Sequence, residues 1–206
     1  IAWLADEEPD VYRRTAAFTD ATGFLVARAT GELAIDHTAA GCTGMLDPKS
    51  RTWSRMLCAM ASFPVGKMPR IVRPIDVVGR LTARAAEALA LREGTPVVMG
   101  MADIPAAAVG SGATRPGEGH VYLGTSAWIG VSLAEPKNVP KAGIASVPSA
   151  VPSGFLLIGE SETAGACRDW LTSRLGVDDA ELERLVAEAE PGARGLLFLP
   201  WMYGER

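Results

Sequence analysis

The chain has 206 residues, of which 48% are hydrophobic and 21% charged, and its formal net charge is −4. That balance belongs to a folded globular chain and excludes a highly charged disordered polymer. No Lys/Arg-rich run is present, so nucleic acid is not an expected partner, and no apolar stretch reaches the ~18 residues of a membrane span.

Cys42, Cys58 and Cys167 are odd in number, far apart and without CxxC spacing. Neither a zinc site nor a disulfide framework is expected from them, and no metal-ligand set is assigned. Reduced thiols in a cytoplasmic protein are the expectation. No charged-then-apolar leader opens the chain.

In chain order, residues 2–5 read as helix. Asp10 can cap a short helix over 11–17, and Thr19 or Asp20 a second over 21–29, stopped by Thr30-Gly31. Asp36-His37-Thr38-Ala39-Ala40-Gly41-Cys42-Thr43 reads as a small polar loop, and Leu46-Asp47-Pro48-Lys49 as a turn. Residues 53–61 read as an amphipathic helix started by Ser54. The Pro- and base-rich stretch 63–73 is the expected crossover between two domains. A strand follows at 77–81 and a helix at 82–91 with Thr82 as its cap. Residues 132–152 read as irregular, 155–159 as strand, 163–175 as helix and 178–189 as a charged surface helix. Alternating strands and helices favour the α/β class.

Asp103 stands out within this order. It follows an apolar run, 95–102, that reads as a buried strand, and precedes a small-residue run, 104–110, that reads as helix with Pro105 in its first turn. A carboxylate at a strand-to-helix crossing lies at the sheet edge where ligands of α/β folds bind. Such a group can accept a proton from a substrate hydroxyl, although it can also cap the helix it precedes. Farther on, His120-Val121-Tyr122-Leu123-Gly124-Thr125-Ser126-Ala127-Trp128 reads as two strands around a Gly-Thr-Ser turn. Its amides and two hydroxyls suit phosphate oxygens, and an ordinary hairpin turn is the competing reading. Trp128 can line the site or belong to the core. His37 and His120 are lone histidines without metal-ligand spacing.

Short segments along nearly the whole chain resemble, in order, the FGGY carbohydrate kinase family, most closely its xylulokinase-like branch. They are Trp3-Leu4 with Glu8-Pro9, Thr30-Gly31-Glu32 with Asp36-His37-Thr38-Ala39-Ala40, and Asp47 with Trp53-Ser54. Val78-Gly79-Arg80-Leu81-Thr82, Gly94-Thr95-Pro96, Gly100-Met101-Ala102-Asp103 and Leu123-Gly124-Thr125-Ser126 follow. Ala164-Gly165, Trp170-Leu171, and Gly195-Leu196-Leu197-Phe198-Leu199-Pro200 with Gly204-Glu205-Arg206 complete the series.

The resemblance implies an actin-like, ribonuclease-H-like ATPase fold. The chain is expected to be a fragment, with 1–72 ending the first, sugar-binding domain and 73–206 opening the second, ATP-binding domain. The opening at Ile1 within a helical pattern and the stop after an apolar run point the same way. The resemblance implies phosphorylation of a sugar or polyol hydroxyl by ATP with Mg²⁺, Asp103 acting as catalytic base. It places ATP contacts at Gly124, Thr125 and Ser126, at Gly165 where the nucleotide approaches a helix start, and at Asp169 toward the ribose. The family's N-terminal phosphate hairpin and C-terminal adenosine loop would fall outside the chain, so the chain alone is not expected to turn over. A homodimer is one admissible assembly.

Ile104 departs from the pattern, since xylulokinase-like relatives usually carry Asn or Gln there, and this opens the identity of the sugar. A catalytically silent, sugar-binding regulator of the same fold stays as the alternative. A nucleotide-dependent oxidoreductase is disfavoured, because no G-x-G-x-x-G follows a strand.

Overall fold

The computed structural model describes residues 1–204. Two short helices, α1 (Ala2–Glu7) and α2 (Pro9–Arg14), lead into α3 (Ala21–Thr30). The second helix begins at Pro9, one residue before the expected Asp10 cap, because a proline ring presets the first helical turn and needs no N–H partner there. Helix α3 forms as the sequence predicts. The Asp20 carboxylate accepts the Gly23 N–H at 2.9 Å, and Gly31 closes the helix in the left-handed conformation.

The expected polar loop at 36–43 is instead the most buried part of the first half. Strand β1 (Ala34–Asp36) runs directly into helix α4 (His37–Cys42), and Asp36, His37 and Thr38 are all but inaccessible. Most of their polar groups find partners within the protein, as buried polar groups generally do, Asp36 Oδ2 being the exception. Strands β2 (Leu46–Asp47) and β3 (Thr52–Trp53) form a small hairpin, and α5 (Arg55–Met60) starts on the Ser54 cap. The crossover stretch contains a strand, β4 (Arg70–Val72), which pairs parallel with β1.

Strand β5 (Val77–Arg80) leads through α6 (Ala83–Leu89) to β6 (Pro96–Val98), which pairs antiparallel with β5. The apolar run 95–102 is thus a strand of three residues with exposed Pro96 and Val98, and its buried member is Met99 just beyond. Helix α7 (Asp103–Gly110) follows. Strands β7 (Gly119–Leu123), β8 (Ala127–Leu133), β9 (Ala145–Pro148) and β10 (Phe155–Ser161) form an antiparallel sheet in the order β7-β8-β10-β9. The segment expected to be irregular supplies β9, because β10 offers it a free edge. Helices α8 (Gly165–Leu175) and α9 (Asp179–Glu188) complete the regular structure. Leu196, Leu197, Phe198 and Leu199 are exposed and form no strand, since no neighbour among the described residues pairs with them. Glu205 and Arg206 of the Gly204-Glu205-Arg206 motif lie outside the described residues.

Side chains alternate across β1, so its two apolar residues feed two cores. Ala34 packs with Val26, Val78 and Met99, while Ile35 packs with Ala40 and Leu46. The first cluster joins residues from both sides of position 72, so the packing has no break there.

Candidate active site

Asp103 opens α7 as its first residue, with Ala102 in the N-cap position and no side chain capping the helix. The carboxylate is exposed, and its Oδ1 accepts the neighbouring Ile104 N–H at 2.8 Å. It is therefore not the helix cap, and its second oxygen stays open toward solvent. Its position is fixed from behind by the first half of the chain. The Ala102 N–H donates to Thr38 Oγ1 at 3.0 Å, and the Thr38 hydroxyl donates to Asp36 Oδ1. Asp36 also caps α4, accepting the N–H groups of Thr38 at 2.8 Å and Ala39 at 3.3 Å. Its other oxygen, Oδ2, is buried without a partner. Behind burial as the larger cause, the charges of Asp36 and Asp103 push the Cys42 thiol pKa up.

Next to this junction, His37 joins the two halves of the chain. Its Nε2 lies 2.9 Å from the Ser149 carbonyl oxygen and 3.0 Å from Arg51 Nη1. Burial pushes its pKa down, and the Arg51 charge adds to that, so the imidazole is held neutral. The adjoining cavity, about 600 Å³, has Lys49, Arg51 and Arg73 in its lining.

The second set of predicted residues assembles around the β7–β8 turn. Gly124 N–H donates to the Ser126 carbonyl at 2.9 Å, closing the turn. The start of α8 docks on it through main-chain bonds. Ala164 N–H and Ala166 N–H donate to Thr125 O at 2.8 and 3.3 Å, and Gly165 N–H donates to Gly124 O at 2.8 Å. The structure thus brings Gly124, Thr125 and Gly165 together. It also gives Gly165 a packing reason, since a Cβ there would stand 2.5 Å from Gly124 O. The first α8 amides are spent on the turn. By contrast, the N–H groups of Thr125 and Ser126 and both hydroxyls have no hydrogen bond among the described residues. These donors fit a nucleotide phosphate. Thr163 Oγ1, beside the turn, is buried and unpartnered.

Asp169 lies one turn into α8, exposed, with Arg168 Nη1 3.8 Å away; Arg168 binds Asp179 more closely, at 2.7 Å. Trp128 packs on its own hairpin, stacked on Tyr122 with centroids 5.2 Å apart and edge-on to His120 at 4.9 Å. No group of three His, Cys, Asp or Glu among the described residues is arranged to hold a metal ion. No described helix is long and apolar enough to cross a membrane.

Sequence reading missed Asp36 and Thr38. The usable signal was Asp36-x-Thr38 directly after the apolar pair Ala34-Ile35, a strand end followed by a helix cap.

The family model "FGGY family of carbohydrate kinases, N-terminal domain" matches residues 1–110, just over half of the 206. The chain is 32% identical to the autoinducer-2 kinase of Klebsiella pneumoniae, with 96% of this chain and 39% of that protein covered. It is similar in structure to the xylulose kinase of Rhodospirillum rubrum, with a TM-score of 0.90 at 31% identity, covering 98% of this chain and 42% of that one. The ligand-bound xylulose kinase of Lactobacillus acidophilus gives a TM-score of 0.92 at 26% identity, covering 100% and 42%. The chain belongs to the FGGY family of carbohydrate kinases and has its actin-like, ribonuclease-H-like fold. It spans about two-fifths of the length of these relatives.

Proposed function

We propose that the protein transfers the terminal phosphoryl group of ATP to a hydroxyl of a sugar or polyol, with Asp103 as the catalytic base. The observation that carries this reading is the setting of Asp103: exposed, at a helix start, one carboxylate oxygen on the Ile104 amide and the other free. The free oxygen orients the substrate hydroxyl and takes its proton as the oxygen–phosphorus bond forms. ATP, when bound, supplies the phosphoryl group. The Thr125 and Ser126 amides and hydroxyls, with Gly124 shaping their turn, hold its phosphates. Gly165 serves by letting α8 close on that turn, and Asp169 is offered to the ribose. Mg²⁺ would accompany the ATP phosphates.

The chain is read as the end of a first, sugar-binding domain followed by the start of a second, ATP-binding one, with packing continuous across position 72 and the N-terminal family model reaching residue 110. The cluster of Val26, Ala34, Val78 and Met99 carries that continuity. Ile104 offers no amide to a polyhydroxylated substrate. Together with the likeness to autoinducer-2 kinases, this puts autoinducer-2 beside the pentuloses as a candidate substrate.

The test is coupled ADP release by the full-length protein across pentuloses, hexuloses, polyols and autoinducer-2, with Asp103→Ala in parallel. Substrate-dependent turnover that falls by roughly 10²–10⁴-fold in the variant is the expected result. Turnover by the variant at the wild-type rate would remove Asp103 from the role. Absence of turnover with every substrate would favour the silent regulator instead.

A further inference from the structure

We propose that Thr38, gripped by Asp36, is a positioning residue that fixes the orientation of the Asp103 carboxylate. The proposal rests on Asp103 being the base, and it adds residues from the opposite half of the chain to that site.

The direction of the hydrogen bonds follows from chemistry alone. An ionised carboxylate only accepts, so the single Thr38 proton goes to Asp36 Oδ1. The hydroxyl oxygen then has a lone pair for the Ala102 N–H, 3.0 Å away. Both functions of the hydroxyl are committed, and its rotor cannot turn. Thr38 is 0% and Asp36 1% exposed, so no water competes for either bond. The Ala102 amide is therefore pinned by a donor–acceptor pair 64 positions away in sequence.

That amide is the last one before the residue in question. Ala102 occupies the cap position of α7 and has no side chain with which to cap it. The helix start is thus held from outside: the Met101–Ala102 peptide, one before the peptide that carries Asp103, takes its orientation from Thr38. Asp36 makes the grip firm, because a hydrogen bond to a charged acceptor is about twice as strong as a neutral one. A role in stability alone does not explain the carboxylate. Asn caps a helix about as well as Asp, whereas the carboxylate leaves Oδ2 buried and unpartnered, which is costly. The firm grip on Thr38 is what this costly choice secures.

The experiment compares Thr38→Val, which keeps the shape and removes the hydroxyl, with Thr38→Ser, which restores it, in the full-length protein. Hydrogen exchange at Ala102 and the kcat and KM of substrate-dependent ADP release are both read. The expected result is faster exchange at Ala102 in Thr38→Val, a kcat lower by about tenfold or more, and a KM within about twofold. Thr38→Ser should return both readouts to wild-type values. Asp36→Asn, which keeps the helix cap, should fall between them and carries the test if Thr38→Val does not fold. Wild-type kcat in Thr38→Val, or a change confined to KM, overturns the positioning role. A wild type that turns over no substrate overturns the base assignment itself, so the two failures are distinguishable.

Discussion

Replacing Gly165 by Ala tests whether the phosphate turn and helix α8 form one unit. An added Cβ would stand 2.5 Å from Gly124 O and 3.2 Å from Gly124 C. Non-bonded heavy atoms settle at roughly 3.5 Å, so the two segments must part by about 1 Å. Both contacting atoms are backbone, and no side chain can swing aside to absorb the strain. The 2.8 Å bonds from Ala164 and Gly165 to the turn would then be stretched beyond useful length. Losing two such bonds costs about 1–3 kcal/mol, offset by under about 1 kcal/mol from the better helix propensity of Ala. A net local loss near 1.4 kcal/mol corresponds to a tenfold change in an opening equilibrium, by the usual conversion. Hydrogen exchange of residues 164–166 in Gly165→Ala should therefore quicken by about that factor. KM for ATP should rise with it, because the Thr125 and Ser126 donors move with the turn. Exchange and KM both at wild-type values would refute the close approach of Gly165 to Gly124.

Two further outcomes follow from the first half of the chain. Burial holds the His37 pKa below its ordinary value of about 6.5. The unfolded chain therefore binds the extra proton first, and stability should fall as the pH drops through about 6.5 toward the lower folded value. Melting curves between pH 5 and 8 should show that acid loss in the wild type and a flatter profile in His37→Gln; parallel profiles would contradict it. At Gly23, a Cβ would meet Ala34 O at 2.7 Å and the Asp20 Oδ1 cap at 2.9 Å, whereas at Gly31 it meets open space and only a left-handed φ of +83°. Urea titration should give Gly23→Ala a loss of about 1–3 kcal/mol from overpacking, against about 1 kcal/mol for Gly31→Ala; a reversed order would contradict the packing of α3 on β1.

Local rules carried the sequence reading where the chain is locally determined. Asp20, Ser54, Thr82 and Asp178 were read as helix starts, and each accepts an N–H three residues on. The β7–β8 hairpin was legible from its apolar flanks and Gly-Thr-Ser turn. The failures came where distant residues decide. Strand β4 exists because β1 offers it a parallel edge, and β9 because β10 does, and neither partner is a neighbour in sequence. The run 36–43 is small and polar, so composition marked it as loop. Its burial comes from β4, the β2–β3 hairpin and β9 closing around it, and Thr38 and His37 find their long-range partners in Ala102, Ser149 and Arg51. At the site, the position of Asp103 was legible as a strand-to-helix crossing. Its non-capping geometry was not, because the competing acceptor for Ala102 lies in α4.

The placement of Asp103 has a consequence for how the two halves of the chain cooperate. The carboxylate belongs to α7, yet the bond that holds the preceding residue, Ala102, comes from α4, and α4 also packs on β9 of the four-stranded sheet. That sheet carries the Gly124–Ser126 turn at its other edge, on β7 and β8. Helix α4 therefore reaches both the residue before Asp103 and the sheet that carries the Gly124–Ser126 turn. A shift of the sheet against the first half would be resisted at the His37–Ser149 contact before it reached Asp103. Helix α4 thus links the start of α7, where Asp103 lies, to the sheet that bears the turn. Substitutions at His37 should accordingly alter how the first half of the chain meets the sheet, although the ring's partners, Ser149, Arg51 and the Val72 backbone, include neither Asp103 nor the turn.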